Sequence, residues 1–256
     1  MKLTDVLTAS NMNPDYYKFI PIFIKTWKKI LPEVNIHIIV IADDLIKELI
    51  PYKEHIKLFS PIENIETSFI AQNIRLFYPA LLKKAKGGIL ITDMDIIPMS
   101  KKYYIESITN IENNKFVCYR PLSCVGKNEM VMCYNIAHQN VWSEIFNINS
   151  LDDIVNTLLS INKKDKYIGE NANVYYKPFW ITDQLYLYEK TQEWNKLSNN
   201  LIILDNDKIN KFTRLDKIYI NYYTKDFIKN NNFIDFHMPR PYNSYKQTID
   251  NIVESI

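Results

Sequence analysis

Ile89-Leu90-Ile91-Thr92-Asp93-Met94-Asp95-Ile96-Ile97-Pro98 is the stretch that decides how this chain reads. A strand-sized apolar run opens after the Gly87-Gly88 break and delivers two carboxylates, one residue apart, before apolar residues resume. Charges flanked by apolar residues on both sides are costly to bury without a partner or a metal ion. In extended backbone, residues i and i+2 project to the same side, so this spacing aims Asp93 and Asp95 at one cation. Hard cations such as Mg²⁺ and Mn²⁺ take oxygen ligands, typically one or two carboxylates plus substrate phosphates. An Asp-x-Asp also occurs by chance where strands end. Its weight here comes from the apolar strand that carries it.

Upstream of that strand the pattern alternates. Leu3 to Ala9 reads as a strand closed by the polar turn Ser10-Asn11-Met12-Asn13, and Pro14 opens a helix. Ile20, Phe23, Ile24, Trp27 and Ile30 follow the spacing of one buried helix face, and Pro32 ends it. Asn35 to Ala42 is a near-continuous β-branched run of the kind found in parallel sheets covered on both faces. It stops at Asp43-Asp44, before a short helix up to Pro51. A further helix from Thr67 carries Ile70, Ile74, Phe77 and Leu81 on one face. This alternation predicts an α/β fold with a right-handed parallel sheet. Open sheets of this kind place ligands at the carboxyl ends of their strands, which is where Asp93 and Asp95 fall.

Downstream the pattern is less regular. Phe116 to Arg120, Met130 to Ile136, Leu201 to Leu204 and Phe233 to Phe236 are expected as strands. Val141 to Phe146, Leu151 to Ile161, a segment after Trp180 and Tyr242 onward are expected as helices, with Lys163 to Lys177 loop-rich. No repeat or Pro/Gly/Ser linker divides the chain. Residues 1–256 read as a single domain, regular over 1–100 and less regular over 101–256.

Composition excludes several classes. The 256 residues carry 31 basic and 29 acidic side chains, a net charge of +2 that gives no reason to expect a nucleic-acid partner. No apolar stretch approaches the roughly 18–20 residues of a membrane-spanning helix. With no signal-peptide pattern at the start, a soluble, cytoplasmic protein is expected. Cys118, Cys124 and Cys133 show no Cys-x-x-Cys pair and are expected as reduced thiols. Only four Gly occur, and neither a G-x-G-x-x-G nor a G-x-x-x-x-G-K-[ST] is among them. A nucleotide held by this chain would need its charge neutralised some other way, and a divalent metal is the candidate. Only Arg75, Arg120, Arg214 and Arg240 are Arg in a Lys-rich chain. Their planar fork can grip phosphate or carboxylate as Lys cannot.

On Asp93-Met94-Asp95 and the order of elements, the chain resembles nucleotide-sugar glycosyltransferases of the GT-A (Rossmann-like) fold, whose metal motif is Asp-x-Asp. It looks most like glycosyltransferase family 8 and related bacterial and large-virus enzymes. The resemblance spans Leu3 to about Tyr242, on short motifs. It implies a mixed, mostly parallel central sheet, with a nucleotide-binding half over 1–100 and an acceptor- and sugar-binding half over 101–256. The activity it implies is transfer of a sugar from a nucleotide-diphosphate donor, a UDP-sugar, to a hydroxyl acceptor such as a glycan. The cofactor would be Mn²⁺ or Mg²⁺.

The resemblance also implies roles for residues. Phe233-Ile234-Asp235-Phe236-His237-Met238-Pro239-Arg240-Pro241 matches the C-terminal strand that supplies a His, so His237 joins Asp93 and Asp95 as metal ligands. Family 8 continues with Gly and a Lys-Pro-Trp segment. This chain offers Arg240-Pro241-Tyr242 instead, and Arg240 stands where the diphosphate clamp would be. Thr8, Ala9, Ser10 and Asn11 match the cradle of uracil and ribose, and Met94 sits within the motif. Asp43 and Asp44 either contact base or ribose or cap the next helix. Gln72 and Arg75 project from one polar side of their helix, Arg75 toward the donor sugar and Asp93. Asp183 would orient the transferred sugar or deprotonate the acceptor in an inverting enzyme, and Gln184 would sit beside the anomeric carbon in a retaining one. Alternatively Thr182 caps that helix, with Asp183 favoured in its first turn. Arg120, Arg214, His37, His55 and His138 read as surface or packing residues. Two rivals remain. A sugar-nucleotide nucleotidyltransferase would carry a Gly-rich, basic loop after the first strand, and Thr8 to Asn13 has none. A non-catalytic carbohydrate-binding protein would not need the acidic and His ligands.

Overall fold

The computed structural model describes residues 1–120, 128–162, 164, 167, 180–204, 213–222 and 224–256. Cys124 and nearly all of the expected loop Lys163 to Lys177 lie outside them. The chain starts with β1 (Leu3–Asn11), short α1 (Pro14–Tyr17), α2 (Ile20–Ile30) and β2 (Asn35–Ile41). A 3-10 helix (Lys47–His55), β3 (Ile56–Phe59), α3 (Thr67–Phe77), β4 (Gly88–Ile91) and β5 (Ile96–Pro98) follow. Next come α4 (Lys101–Glu106), β6 (Phe116–Cys118), β7 (Asn135–His138), α5 (Gln139–Phe146) and α6 (Leu151–Ile161). The last part holds α7 (Thr182–Ser198), β8 (Leu201–Ile203), β9 (Thr213–Asp216), a helix at Lys225–Lys229, β10 (Phe233–His237) and a terminal helix at Tyr242–Ser255.

These strands build a seven-stranded sheet in the order β3-β2-β1-β4-β7-β6-β8. Every pairing is parallel except those of β7 with β4 and β6, so the sheet is mixed and mostly parallel as expected. A second, three-stranded sheet runs β5-β10-β9.

The period of two along each strand divides the core. Val6, Ile36, Ile38, Val40 and Leu90 face one side, packed with Phe23, Trp27 and Tyr104. Leu7, Ile39, Ile41, Ile89 and Ile91 face the other, packed with Ile70, Ile74, Phe77, Trp142 and Leu187. Both faces are therefore covered by helices, which is why the strands read as continuous apolar runs. Trp142 locks one of these layers by donating Nε1–H to the carbonyls of Ile89 and Ala137, at 3.2 and 3.1 Å. The Gly87-Gly88 break has a steric cause: a Cβ at Gly87 would stand 2.3 Å from the carbonyl oxygen of Lys2.

Several boundaries differ from the expected ones. β1 runs on through Ser10 and Asn11, because β2 pairs with it out to Asn11↔Ile41. The helix expected from Pro14 is two helices, parted at Lys18 and Phe19. Met132–Tyr134 forms a 3-10 turn before β7 rather than part of one long strand. β9 was not foreseen, since Thr-Arg-Leu-Asp carries too few apolar residues to register as a strand. His37 does have a partner: its Nε2 lies 2.8 Å from Asp5 Oδ1, and the pairing holds the Asp5 carboxyl below its usual range despite burial. No helix among the described residues is long and apolar enough to cross a membrane.

Candidate functional site

The carboxyl ends of β1 and β4 open onto a cavity of about 840 Å³, within the size range of small-molecule sites. α3 and the first turn of α7 wall one side. His237 at the end of β10, Lys217 just beyond β9, and Arg240 wall the other.

Asp93 and Asp95 both line this cavity, but not in the extended geometry expected. β4 stops at Ile91, and Asp93 to Asp95 form a turn leading into β5, with the Ile96 N–H donating to the Asp93 carbonyl at 3.2 Å. The turn is tied to β10 by the Met238 N–H, 2.8 Å from the Asp95 carbonyl. The two carboxylates consequently have different neighbours. Asp93 meets α3, and Asp95 meets β10.

On the α3 side, Arg75 is the hub. Its guanidinium pairs with Asp93, reaches Asp183 Oδ2 at 2.9 Å, and donates to the Thr92 carbonyl at 3.3 Å. Arg75 is only 7% exposed, so the expected polar helix face is in fact interior, its charge consumed by two carboxylates. Burial works to raise the Asp93 carboxyl, yet Arg75, with His237 and Arg214 behind it, more than offsets this and holds it below its ordinary value. Asp183 goes the other way. It is 2% exposed, and burial pushes its carboxyl up to about 7, with Arg75 opposing and Asp93 adding to the rise. Asp183 Oδ1 accepts from the Gln184 backbone N–H at 2.9 Å and from Gln72 Nε2 at 3.5 Å. Gln72 also donates to the Trp180 carbonyl, pinning the entry to α7 against α3. The helix cap is Ile181 rather than Thr182, whose hydroxyl turns to the Tyr167 carbonyl at 3.4 Å.

On the β10 side, His237 Nε2 lies 3.4 Å from Asp95 Oδ2 and 3.1 Å from Lys217 Nζ, while Nδ1 faces Asp216 Oδ2 at 3.4 Å. Burial alone would lower the His237 pKa; Asp95 raises it more, and Lys217 opposes. Arg240 sits with its guanidinium 4.8 Å from the centre of the Tyr16 ring, bonded to the Tyr16 hydroxyl, and with Nε 3.6 Å from Asp95 Oδ2.

The remaining expected residues divide. Ala9, Ser10, Asn11, Gln72, Met94 and Gln184 line the cavity. Thr8 is fully buried in β1, does not line the cavity, and its hydroxyl finds no partner among the described residues. Asp43 and Asp44 are exposed beyond β2, away from the cavity lining, and the 3-10 helix after them is capped at Ile46. Among the described residues, no three His, Cys, Asp or Glu side chains already converge as a metal cage.

Three participants escaped sequence reasoning. Asp216 ends the unforeseen strand β9 and Lys217 follows it, and Tyr16 lies in a helix of only four residues. Arg214, read as an ordinary residue, pairs through Nε with fully buried Asp235 at 3.0 Å and bonds to the Tyr134 hydroxyl. The only signal for it was the scarcity of Arg in a Lys-rich chain.

No protein-family model matches the chain, and no curated protein matches it. Solved structures do. The galactosyltransferase LgtC, crystallised with donor and acceptor sugar analogs, aligns at 9% identity and a TM-score of 0.48, over 99% of this chain and 96% of that one. A glycosyltransferase involved in glycosylation of the major capsid of PBCV-1 aligns at 9% identity and TM-score 0.47, over 97% and 99%. The apo glycosyltransferase GlyE of Streptococcus pneumoniae aligns at 12% identity and TM-score 0.49, over 99% of this chain and 62% of that one. Identities this low say nothing about which residues react.

Proposed function

We propose that this chain is a glycosyltransferase that moves a sugar from a nucleoside-diphosphate donor, a UDP-sugar, to a hydroxyl of an acceptor glycan. One observation carries the reading. A single cavity at the carboxyl edge of the sheet gathers Asp93, Asp95 and His237 with the cations Arg75, Lys217 and Arg240 and the buried carboxyl of Asp183. Few ligands need acidic and basic groups side by side in this way; a diphosphate with its counter-cation is one.

By its chemistry the donor set suits Mn²⁺ or Mg²⁺, though among the described residues the three side chains do not converge as a cage. Two carboxylates and an imidazole line one cavity, with Asp95 Oδ2 and His237 Nε2 already 3.4 Å apart. A divalent cation held by Asp93, Asp95 and His237 would neutralise the diphosphate and so ease departure of the nucleotide. The chain's own groups do the rest. Arg240, stacked on Tyr16, offers its planar fork to phosphate oxygens. Asn11 and Ser10 present short polar groups at the end of β1 where base and ribose would lie. Arg75 fixes Asp93 and Asp183 relative to each other, so the turn and α7 form one rigid wall. Asp183 and Gln184 line the same cavity, where Asp183 would accept a hydroxyl of the sugar.

The test is donor hydrolysis. Wild-type protein should release UDP slowly from UDP-sugars in Mn²⁺, and both EDTA and Asp95→Ala should abolish this. Release that is indifferent to both would contradict the metal-held donor.

A further inference from the structure

His237 is approached by three charged groups: Asp95 and Lys217 at Nε2, and Asp216 at Nδ1. One ring nitrogen cannot answer both Asp95 and Lys217. A proton on Nε2 would serve Asp95 and repel the ammonium, yet Lys217 Nζ stands at 3.1 Å, the closer of the two. In the neutral ring, the arrangement that answers both Asp216 and Lys217 puts the proton on Nδ1 and leaves the Nε2 lone pair to accept from Lys217. That lone pair is the one a cation between His237 and Asp95 would use. A carboxylate behind the far nitrogen is also how proteins orient histidines that bind metals.

We propose that Lys217 is a resident cation of the diphosphate site, holding the His237 Nε2 lone pair while no metal is bound and turning to the donor's phosphates when a metal takes that lone pair. The inference rests on the nucleotide-sugar reading of the cavity. An ammonium and a divalent cation cannot share one lone pair, so binding of the metal expels Lys217. Its stem is flexible and its three donors can re-aim. Lys217 also lines the same cavity as Arg240 and the Asp93–Asp95 turn, so an incoming diphosphate is the anion within its reach. Lys217 is thus a binding residue that competes with the metal when the donor is absent and works beside it when the donor is present.

The experiment compares wild-type protein with Lys217→Met, which keeps the length of the stem and removes the charge, and with Lys217→Arg. Free Mn²⁺ is counted by electron paramagnetic resonance without nucleotide, and UDP binding is followed by calorimetry in saturating Mn²⁺. Loss of one charge-assisted contact corresponds to about ten-fold in affinity. Lys217→Met should therefore bind Mn²⁺ about ten-fold more tightly in the absence of nucleotide and bind UDP in saturating Mn²⁺ about ten-fold more weakly, while Lys217→Arg keeps UDP binding near wild type. If either affinity is unchanged in Lys217→Met, the proposal is overturned. Wild-type protein that binds no UDP even with Mn²⁺ would instead overturn the nucleotide-sugar reading. Matching circular dichroism and melting of the three proteins separates both results from misfolding.

Discussion

Replacing Arg75 with Met is the perturbation whose size can be worked most fully from the structure. The change removes the common partner of Asp93 and Asp183 and keeps the length of the apolar stem. Removing one member of a buried ion pair costs about 3–5 kcal/mol, because the other charge is left uncompensated. The low end applies here. The Asp93 side chain is 34% exposed and stays solvated, while Asp183, at 2%, can escape by taking up a proton. At about 2–4 °C per kcal/mol for a chain of this size, a deficit of about 3 kcal/mol lowers Tm by about 6–12 °C. The sign with pH follows from linkage. The folded Asp183 titrates near 7 against an ordinary value of 3.8, so its contribution to stability is complete below 3.8 and is lost as pH rises through 7. Without Arg75 its pKa climbs further, so the deficit of the variant widens from about pH 7 to about pH 8.5. Asp183→Asn in the same background removes the stranded charge and should restore most of the loss. The assay is thermal unfolding of wild type, both single variants and the double variant at the two pH values. A Tm of Arg75→Met within about 2 °C of wild type at both, or no recovery in the double variant, would refute the hub assigned to Arg75.

Two further outcomes are expected. If ionised Asp183 is what accepts a donor or acceptor hydroxyl, donor turnover falls as pH drops through about 7, and Asp183→Asn abolishes that acid limb together with most of the activity; a wild-type profile flat across that range would remove the role. Gly87→Ala should destabilise the fold by about 1–3 kcal/mol, since its Cβ would meet the Lys2 carbonyl oxygen at 2.3 Å and force β1 from β4. Denaturant titration reads this directly, and an unchanged midpoint would contradict it.

The layered α/β fold was legible because both faces of the sheet are covered, which turns Asn35 to Ile41 and Gly88 to Ile91 into continuous apolar runs. Asp93 and Asp95 were legible as a pair for the same reason: they interrupt an apolar run where a strand ends. Their division of labour was not. A period-2 pattern cannot show that the backbone turns at Asp93, sending one carboxylate to Arg75 and the other to His237. Helical spacing likewise put Arg75 on a polar face and could not reveal that α7 covers it. Lys217 and Asp216 were out of reach because they are single polar residues at the end of a four-residue strand. Thr8 shows the opposite failure: it stands one position before the residues that line the cavity, where β1 is still covered on both faces of the sheet.

The central claim is that Asp95 and His237, with Asp93, hold a divalent cation that binds a nucleoside diphosphate in this cavity. Calorimetric titration of UDP into wild-type protein and Asp95→Ala, each in Mn²⁺ and in EDTA, addresses it most directly. Wild-type protein should bind UDP at least about ten-fold more tightly in Mn²⁺ than in EDTA, and Asp95→Ala should show no such gain. Equal gains in the two proteins, or no binding of UDP by wild type in Mn²⁺, would contradict it.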